Sequence, residues 1–357
     1  MQQVDSADVD DLALGAAVLG CGGGGDAHLA KLMLHRAIDL HGPVPVVQAG
    51  DVPADGLVLP VAVAGAPAVL AEQFPGEGDA RRALEAMQRY AGRRGVAVLP
   101  LGIGGIRTLF PLVAAAEVGL PCIDADGMRR PFPRLETTLF TLAGIDVSPV
   151  CVVGALGNTL VIDATDNHTG ERLTRAAVAE LGMVATVAAY PMNGEQCRAH
   201  AALGSLSRCR EVGRLLRAIH SGTPGAHAAF LASTGAQVVF SGTVTDVLRR
   251  TSRGSTRGTA TLEHLAEPDR LLRVDFQNEN LVVTEAGRAV ATVPDAITLL
   301  DVDTGWPVTT DSVTYGQRVE VLVVPAHERW REPDGLALGG PRAFGYDLDY
   351  VDRGLPV

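Results

Sequence analysis

The sequence predicts an α/β domain built on a mainly parallel sheet, followed by a mixed domain that is rich in β-structure. From about residue 44 to residue 165, short apolar runs alternate with segments of helical periodicity, which is typical of strands joined by crossover helices. From about residue 237 to residue 324, the helical pattern nearly disappears, and alternating Val, Thr and Leu indicate strands. The change of pattern places a boundary near residue 165, with an N-terminal domain over 1–165 and a C-terminal domain over 166–357.

The individual elements follow from the apolar spacing. An acid-capped helix begins near Ser6, because Asp8, Asp10 and Asp11 precede an apolar helical run. In the N-terminal domain we expect a helix at 79–93 and strands at 44–47, 57–64, 96–101, 113–116 and 122–123. In the C-terminal domain we expect helices at 169–181 and 205–219 and strands at 183–189, 238–247, 258–265, 271–276, 281–284 and 319–324.

Composition and charge exclude several classes of partner. The chain of 357 residues is 47% hydrophobic and 20% charged, so it can bury a large core. Its net charge of −11 and the lack of a basic run argue against nucleic acid, because such binding depends on phosphate neutralisation. No apolar run reaches the roughly 18 residues of a membrane span, and the N-terminus is acidic where a signal peptide is basic. We therefore expect a cytoplasmic protein that acts on a small-molecule substrate and does not bind a membrane. Whether the chain forms a homo-oligomer is left open.

The number and positions of the lysines and cysteines restrict which cofactors we expect. Lys31 is the one lysine of the chain, which excludes P-loop chemistry and leaves a Schiff-base mechanism a single candidate inside a predicted helix. We therefore expect neither a nucleotide nor pyridoxal phosphate (PLP). The five cysteines are widely spaced without a C-x-x-C pair, so they do not indicate a disulfide framework. Cys197, His200 and Cys209 fit a metal site or, as we favour, buried thiols beside a surface histidine.

A glycine-rich loop is the most informative local feature. Gly22, Gly23, Gly24 and Gly25 lie directly before a strongly helical segment. Positive φ angles can aim the N–H groups of such a loop into one concavity, and the positive end of the following helix adds attraction for an anion or a carbonyl oxygen. The string also satisfies G-x-G-x-x-G through Gly20, Gly22 and Gly25, but a dinucleotide-binding loop follows a strand, whereas this one follows a predicted helix. Three roles of this loop are open: nucleotide binding, a plain turn between helices, and substrate binding. We favour substrate binding.

Loops at the carboxyl ends of the predicted parallel strands supply further candidates, because ligands of such sheets bind at that edge. Gly104 and Gly105 follow one strand and are expected to bind substrate together with the glycine-rich loop. Asp124 and Asp126 follow a later strand as candidate catalytic residues, because mutual repulsion can make one carboxyl an acid and the other a base. The alternative is an Asp-Gly turn whose carboxylates cap a helix.

Two further pairs of residues are candidates. Asp166 and Asn167 lie at the expected domain junction as candidate substrate-binding residues; the alternative is that one of them is the N-cap of the helix predicted at 169–181. Asp26 and His28 follow the glycine-rich loop and are candidate ligands of a divalent metal such as zinc. A hydrolytic zinc site keeps three protein ligands and one water.

Several strings, taken in order along the chain, resemble one family. They are LGAAVLGCGGGGD, VLPVAVAGAPAVL, GLPCIDADGM, RPFPRLETTLFTLAG, DNHTGERLTRA, AAYPMNG and GPRAFGYDLDYV, and they extend from about residue 10 to residue 351. The sequence is similar to the S-methyl thiohydantoin desulfurase family, formerly domain of unknown function 917. The resemblance implies an N-terminal domain, a characteristic C-terminal domain and a five-membered cyclic amide or thioamide as substrate, because the module also occurs fused to hydantoinase A/oxoprolinase-type proteins.

The reaction that the resemblance implies is hydrolysis at C2 of an S-alkylated thiohydantoin, which releases a thiol and leaves a hydantoin. It needs an activated water and N–H donors for the developing negative charge, for which Asp124 or Asp126 and the glycine-rich loop are the candidates. The sequence departs from the family pattern at Gly102, where Glu is common, at Arg107, where Asn is common, and at Cys21, where Thr is usual. The alternative function is a non-catalytic ligand-binding or accessory subunit of a hydantoinase-type system.

Overall fold

The computed structural model describes residues 1–25, 27–65, 67–70, 73–252 and 255–354, which fall into two compact units. The first unit contains Met1–Ala13 and Gly25–Arg208, and the second contains Leu14–Gly24 and the chain from Cys209 onward. The predicted fold class is confirmed, because the first unit is an α/β structure with parallel strands and the second is dominated by an antiparallel sheet.

The elements that begin in the first unit are, in chain order, β1 (Gln3–Val4), α1 (Val9–Leu19), α2 (Ala27–His41), β2 (Val44–Val47), β3 (Leu57–Gly65), α3 (Pro67–Leu70), α4 (Asp79–Ala91), β4 (Gly95–Pro100), α5 (Ile106–Val118), β5 (Cys122–Ile123), β6 (Ala125–Asp126), α6 (Leu139–Leu142), β7 (Val150–Gly154), β8 (Thr159–Ile162), α7 (Asn167–Glu180), β9 (Val184–Ala188), β10 (Met192–Asn193), α8 (Gly194–His200), β11 (Ala202–Leu203) and α9 (Ser205–His220). Helices α1 and α9 contribute residues to both units.

A nine-stranded mixed sheet is the framework of the first unit. Its strands lie in the order β1, β2, β5, β4, β3, β9, β7, β8, and β10 pairs with β3 beside this row. Strands β2, β5, β4 and β3 are parallel, so their carboxyl ends share one edge. Because Gln48, Leu101 and Asp124 directly follow β2, β4 and β5, the loops that they begin lie at that edge.

Helix α5 occupies a place where a strand is predicted. The apolar run at 113–116 lies inside α5, so the prediction of a strand there is wrong. Most of α5 is buried, including Leu109, Phe110 and Leu112, and the helix therefore lacks the polar stripe from which a helical period could be recognised. The other predicted elements of this unit are confirmed as β2, β3, β4, β5, β9, α1, α4, α7 and α9.

The remaining elements, all in the second unit, are α10 (Ala226–Thr234), β12 (Gln237–Ser252), β13 (Ser255–His264), β14 (Leu271–Gln277), β15 (Glu279–Glu285), β16 (Arg288–Thr292), β17 (Ala296–Asp301), β18 (Pro307–Val308), β19 (Arg318–Val324) and α11 (Pro333–Gly339). The strands form one antiparallel sheet in the order β16, β15, β14, β13, β12, β19, β17, β18. Buried side chains that include Val244, Leu262, Leu272 and Val321 form its core. Across the described residues, no helix is both long and apolar enough to cross a bilayer.

Candidate functional site

The carboxylate of Asp124 accepts hydrogen bonds from the first turn of helix α9. Its Oδ1 atom lies 2.8 Å from the backbone nitrogen of Leu206 and 3.0 Å from that of Ser207. Its Oδ2 atom accepts from the Ser207 hydroxyl and lies 3.5 Å from Nε2 of Gln48. Asp124 is buried, so these bonds compensate for the water that its charge has lost.

Asp126 organises the turn that follows β6. Its Oδ1 atom accepts from the backbone N–H groups of Met128 and Arg129, both at 2.6 Å, and its Oδ2 atom accepts from the Ser205 hydroxyl. Burial raises the pKa of the Asp126 carboxyl, because the loss of solvation outweighs the hydrogen bonds that lower it. The folded protein therefore stabilises the charged form of this carboxylate less well than water does, although the carboxylate stabilises the loop.

The hydrogen bonds of Asp124 and Asp126 are those expected from the alternative prediction, in which these carboxylates belong to a turn and cap a helix. Both aspartates lie at the predicted sheet edge, and both bind the N–H groups of a turn or of a helix N-terminus. Such bonds satisfy backbone donors that have no partner within the helix or turn. The structure thus gives Asp124 and Asp126 a structural role, and their role as acid and base stays a prediction.

Gly104 and Gly105 lie at the start of helix α5. The N–H of Gly104 donates to Oγ1 of Thr108 at 2.8 Å, and Gly105 has a φ angle of 46°, in the region that favours glycine. Gly25 belongs to the same unit, and a Cβ atom there would lie 2.8 Å from Cγ2 of Ile106. These glycines therefore meet at the N-terminus of α5, and their contact with substrate stays a prediction.

Gly22, Gly23 and Gly24 belong to the second unit, where they pack beside its sheet. The carbonyl of Gly22 accepts from the N–H and from the hydroxyl of Thr310, at 3.0 and 3.1 Å. The φ angles of Gly22 and Gly24 are 82° and 89°. A Cβ atom at Gly23 would lie 2.8 Å from the carbonyl oxygen of Asn278, closer than real Cβ atoms approach. Packing and backbone conformation therefore require glycine here, and the expected contact with substrate stays a prediction.

Asp166 is the N-cap of helix α7, as its alternative assignment proposes. Its Oδ1 atom accepts the N–H of Thr169 at 2.8 Å, and this bond lowers the pKa of the Asp166 carboxyl. Asn167 ties α7 to the segment before β7, because its Oδ1 atom accepts the N–H of Val147 at 2.7 Å and its Nδ2 atom donates to the carbonyl of Ile145 at 3.0 Å. A substrate contact of either residue stays a prediction.

The candidate metal ligands are only partly visible. Asp26 lies outside the described residues, and His28 is exposed in the first turn of α2. Within the described ranges, no group of three or more His, Cys, Asp or Glu side chains is placed to hold a metal ion. Cys197 and Cys209 are buried, and burial raises the pKa of the Cys197 thiol to about 12, so this thiol is protonated. The divalent metal stays a prediction.

A carboxylate and an imidazole form a close pair in the first unit. The Nδ1 atom of His168 lies 2.9 Å from Oε2 of Glu136. The side chain of Glu136 is 7% exposed, whereas that of His168, in the first turn of α7, is 69% exposed. The Nη1 atom of Arg134 lies 3.8 Å from the other carboxylate oxygen. The pair therefore joins a buried carboxylate to an imidazole that solvent can reach.

Backbone hydrogen bonds connect the segment that carries Glu136 to the carboxyl edge of the parallel strands. The N–H of Leu139 donates to the carbonyl of Gly127 at 2.7 Å, and the N–H of Gly127 donates to the carbonyl of Leu101 at 3.2 Å. Leu101 directly follows β4, and Gly127 directly follows β6. The segment that carries Glu136 is thus joined through Leu139 to the edge at which the sequence predicts a site, although the pair consists of other residues than those predicted.

Sequence reasoning missed this pair because its members are 32 residues apart and lie in different elements. Glu136 lies in the string RPFPRLETTLFTLAG and His168 in DNHTGERLTRA, so both strings belong to the family resemblance. No spacing rule connects the two strings. Chemically, a carboxylate that holds one ring nitrogen fixes the imidazole tautomer and lets the other nitrogen accept a proton.

A surface pocket of about 270 Å³ lies elsewhere in the first unit. It is lined by Gln73, Gly154, Leu156, Asn158, Glu180, Leu181 and Gly182. Glu180 ends α7, whereas His168 lies in its first turn, so the 14-residue helix separates them by about 20 Å. The pocket and the Glu136–His168 pair are therefore distinct features.

The structure defines a two-part protein, with an α/β unit that contains parallel strands and a unit built on an antiparallel sheet. Two family models identify its family: the S-Me-THD-like N-terminal domain matches residues 7–164, and the S-Me-THD-like C-terminal domain matches residues 165–353. The chain belongs to the S-methyl thiohydantoin desulfurase-like family, which confirms the resemblance seen in the sequence. The family models meet at residue 164, whereas the first compact unit extends to Arg208.

A crystal structure of a protein from Chromobacterium violaceum has a similar fold. The two sequences are 23% identical, the match covers 98% of this chain and 99% of that chain, and the TM-score is 0.79. At this identity the similarity shows a shared architecture of the whole chain. No curated protein matches the sequence.

Proposed function

We propose that this protein hydrolyses an S-alkyl thiohydantoin, with His168 as the general base and Glu136 as the residue that holds its imidazole. The name of the family supplies the class of substrate. The observation that carries the proposal is the 2.9 Å contact between Glu136 and His168, on a segment that Leu139 ties to the sheet edge, where α/β proteins bind their ligands.

The reaction consumes one water and involves no oxidation. His168 takes a proton from the water as the water oxygen bonds to C2 of the ring, and the electrons of the C2=N bond move to nitrogen. As these electrons return to C2, the C2–S bond breaks and the sulfur takes the proton from His168. The C2 hydroxyl then transfers its proton to the ring nitrogen, which leaves a hydantoin and a free thiol.

Glu136 has two tasks in this mechanism. It accepts a hydrogen bond from Nδ1 of His168, which leaves the lone pair of Nε2 for the water proton. It also compensates the positive charge that the imidazole gains. Because the Glu136 carboxylate is largely buried, water screens its charge less than it would at the surface.

The negative charge that develops on the substrate needs donors at the same edge. The N-terminus of α5, which Gly104 and Gly105 precede, offers the positive end of the helix dipole, while the N–H groups of Gly104, Arg107 and Thr108 already donate within this segment. We assign the binding of a ring oxygen to this segment. In this proposal Asp124 and Asp126 hold the loops in place and do not transfer protons.

Thiol release from S-methyl thiohydantoin, followed with a thiol-reactive dye, tests the proposal. We expect His168→Gln to lower kcat by about 10²- to 10⁴-fold, the usual contribution of a general base. The melting temperature should change little, because the His168 side chain is mostly exposed. The matched control is His200→Gln, since His200 is an exposed histidine of the same unit, and it should keep wild-type activity.

Two results would contradict the proposal. A His168→Gln variant that keeps more than about a third of the wild-type kcat would show that His168 is not the base. A wild-type protein that releases no thiol from S-methyl thiohydantoin or its S-alkyl homologues would remove the substrate class.

A further inference from the structure

A line of side-chain hydrogen bonds runs behind the Glu136–His168 pair. The Nδ2 atom of Asn167 lies 2.9 Å from Oγ1 of Thr141, and this oxygen lies 2.8 Å from the hydroxyl of Tyr190. The Tyr190 hydroxyl donates to the carbonyl of Leu135 at 3.0 Å. The donors can all point in one direction, from Asn167 through Thr141 and Tyr190 to Leu135, so each bond strengthens the next.

The two ends of this line adjoin the two members of the pair. Leu135 directly precedes Glu136, and Asn167 directly precedes His168. The line therefore fixes the segment that carries the carboxylate relative to the helix start that carries the imidazole. A pair separated by 2.9 Å depends on the relative position of these two backbones.

Tyr190 is held in this line against a local conformational preference. Its φ angle is 53°, in the left-handed region that aromatic residues rarely adopt. The side chain is fully buried, its ring lies 5.7 Å from that of Phe140, and its N–H donates to the carbonyl of Val147 at 3.0 Å. Backbone strain of this kind persists where the surroundings determine the conformation, and it is common at functional sites.

The Tyr190 hydroxyl is also a permanent donor. Burial raises its pKa to about 12, so it stays protonated across the physiological pH range. The bond to Leu135 is therefore present whenever the protein is folded. A positioning contact must not change with the protonation of the groups that it positions.

We propose that Tyr190, Thr141 and Asn167 are positioning residues for the Glu136–His168 pair. They act through the backbones beside the pair, and none of them needs to contact substrate. The inference rests on the proposed function for its catalytic consequence, whereas its structural content concerns the pair alone. It also gives Asn167 a role other than the expected substrate contact.

The ring nitrogens of His168 report the positioning without any substrate. We would record the ¹⁵N NMR signals of protein labelled at histidine, with His168→Gln to assign them. In the wild type we expect two well-separated ring signals, as for one neutral tautomer held by Glu136. In Tyr190→Phe and in Thr141→Val these signals should move toward each other, as for a ring that exchanges between tautomers.

The same variants should show a kinetic effect. We expect kcat to fall about tenfold or more while KM changes little, because misplacement of a catalytic group acts on the transition state. Thr141→Ser keeps the hydroxyl and should preserve both the wild-type signals and kcat. Tyr350→Phe is the matched control, since it removes a tyrosine hydroxyl that bonds to Asp295 at 2.9 Å in the second unit, and it should leave the His168 signals unchanged.

Each outcome decides the inference. Unchanged His168 signals in a folded Tyr190→Phe and in Thr141→Val would overturn it. If Tyr190→Phe does not fold, the difference between Thr141→Val and Thr141→Ser decides in the same way. Altered signals in a protein that releases no thiol from S-methyl thiohydantoin would support the positioning and overturn the proposed reaction instead.

Discussion

Two buried carboxylates of the first unit, Asp126 and Glu136, are held in two different ways. Asp126 accepts hydrogen bonds from two backbone N–H groups and from a serine hydroxyl. In these bonds each donor keeps its proton near neutral pH. Glu136 contacts the imidazole of His168, which is mostly exposed and has a second ring nitrogen that can exchange a proton. In the proposed function, burial and position therefore do not assign a carboxylate to catalysis, and the group that it contacts does.

The largest effect that follows from this comparison is the loss of stability in Asp126→Ala. The change leaves the buried N–H of Met128 and the partly buried N–H of Arg129 without their acceptor, and the loss of an acceptor at a buried donor costs about 1–3 kcal/mol. We expect the free energy of unfolding to fall by about 3 kcal/mol or more, measured by urea denaturation.

The matched control for this change is Asp39→Ala, because Asp39 is an exposed aspartate of α2. Its free energy of unfolding should stay nearly that of the wild type. An Asp126→Ala variant as stable as the wild type but without activity would reverse the comparison, since the aspartate would then serve the chemistry and not the fold.

The sequence allowed much of the fold to be predicted. Strands β3, β4 and β5 are short and apolar and lie between clear turn residues, so their order and the edge at which they end could be recognised. Helix α5 could not, because a helix that is buried on nearly every side has no polar face.

The candidate site could be located more readily than it could be assigned. Asp124 and Asp126 do lie at the predicted edge, but only coordinates show that their oxygens bind the start of α9 and the following turn. The contact of Glu136 with His168 depends on how a loop and the start of helix α7 meet in three dimensions, which no local period encodes. The positive φ angle of Tyr190 is likewise a result of its surroundings.

The stability of Asp126→Asn relative to the wild type should depend on pH, and this dependence tests the structural role of Asp126. Burial raises the folded-state pKa of Asp126 above its ordinary value of 3.8, so the folded protein binds this proton more tightly than the unfolded chain. The stability that this group contributes is therefore present below about pH 4 and falls as pH rises through the folded-state pKa. The Asn variant lacks this loss, so its stability relative to the wild type should increase as pH rises.

Urea unfolding of both proteins between about pH 4 and pH 8 measures this difference. A difference that stays constant, or that turns in favour of the wild type as pH rises, would contradict the direction of the shift. Turnover of Asp126→Asn should stay within about threefold of wild type; a loss of about 10²-fold at unchanged stability would identify Asp126 as the base.

The smallest expected effect is that of Ser207→Ala. The change removes the hydroxyl that donates to Oδ2 of Asp124 but keeps the backbone bonds from Leu206 and Ser207 to Oδ1. One such bond contributes about 1 kcal/mol, so the urea midpoint should shift slightly toward lower concentration while kcat stays unchanged.

The matched control is Ser233→Ala, which removes an exposed hydroxyl that donates to Glu211 at 2.7 Å. It should shift the midpoint less, because water replaces an exposed bond. If Ser207→Ala instead kept the wild-type midpoint and lost turnover, the Asp124–Ser207 contact would belong to the chemistry, and the distinction between structural and catalytic carboxylates at this edge would fail.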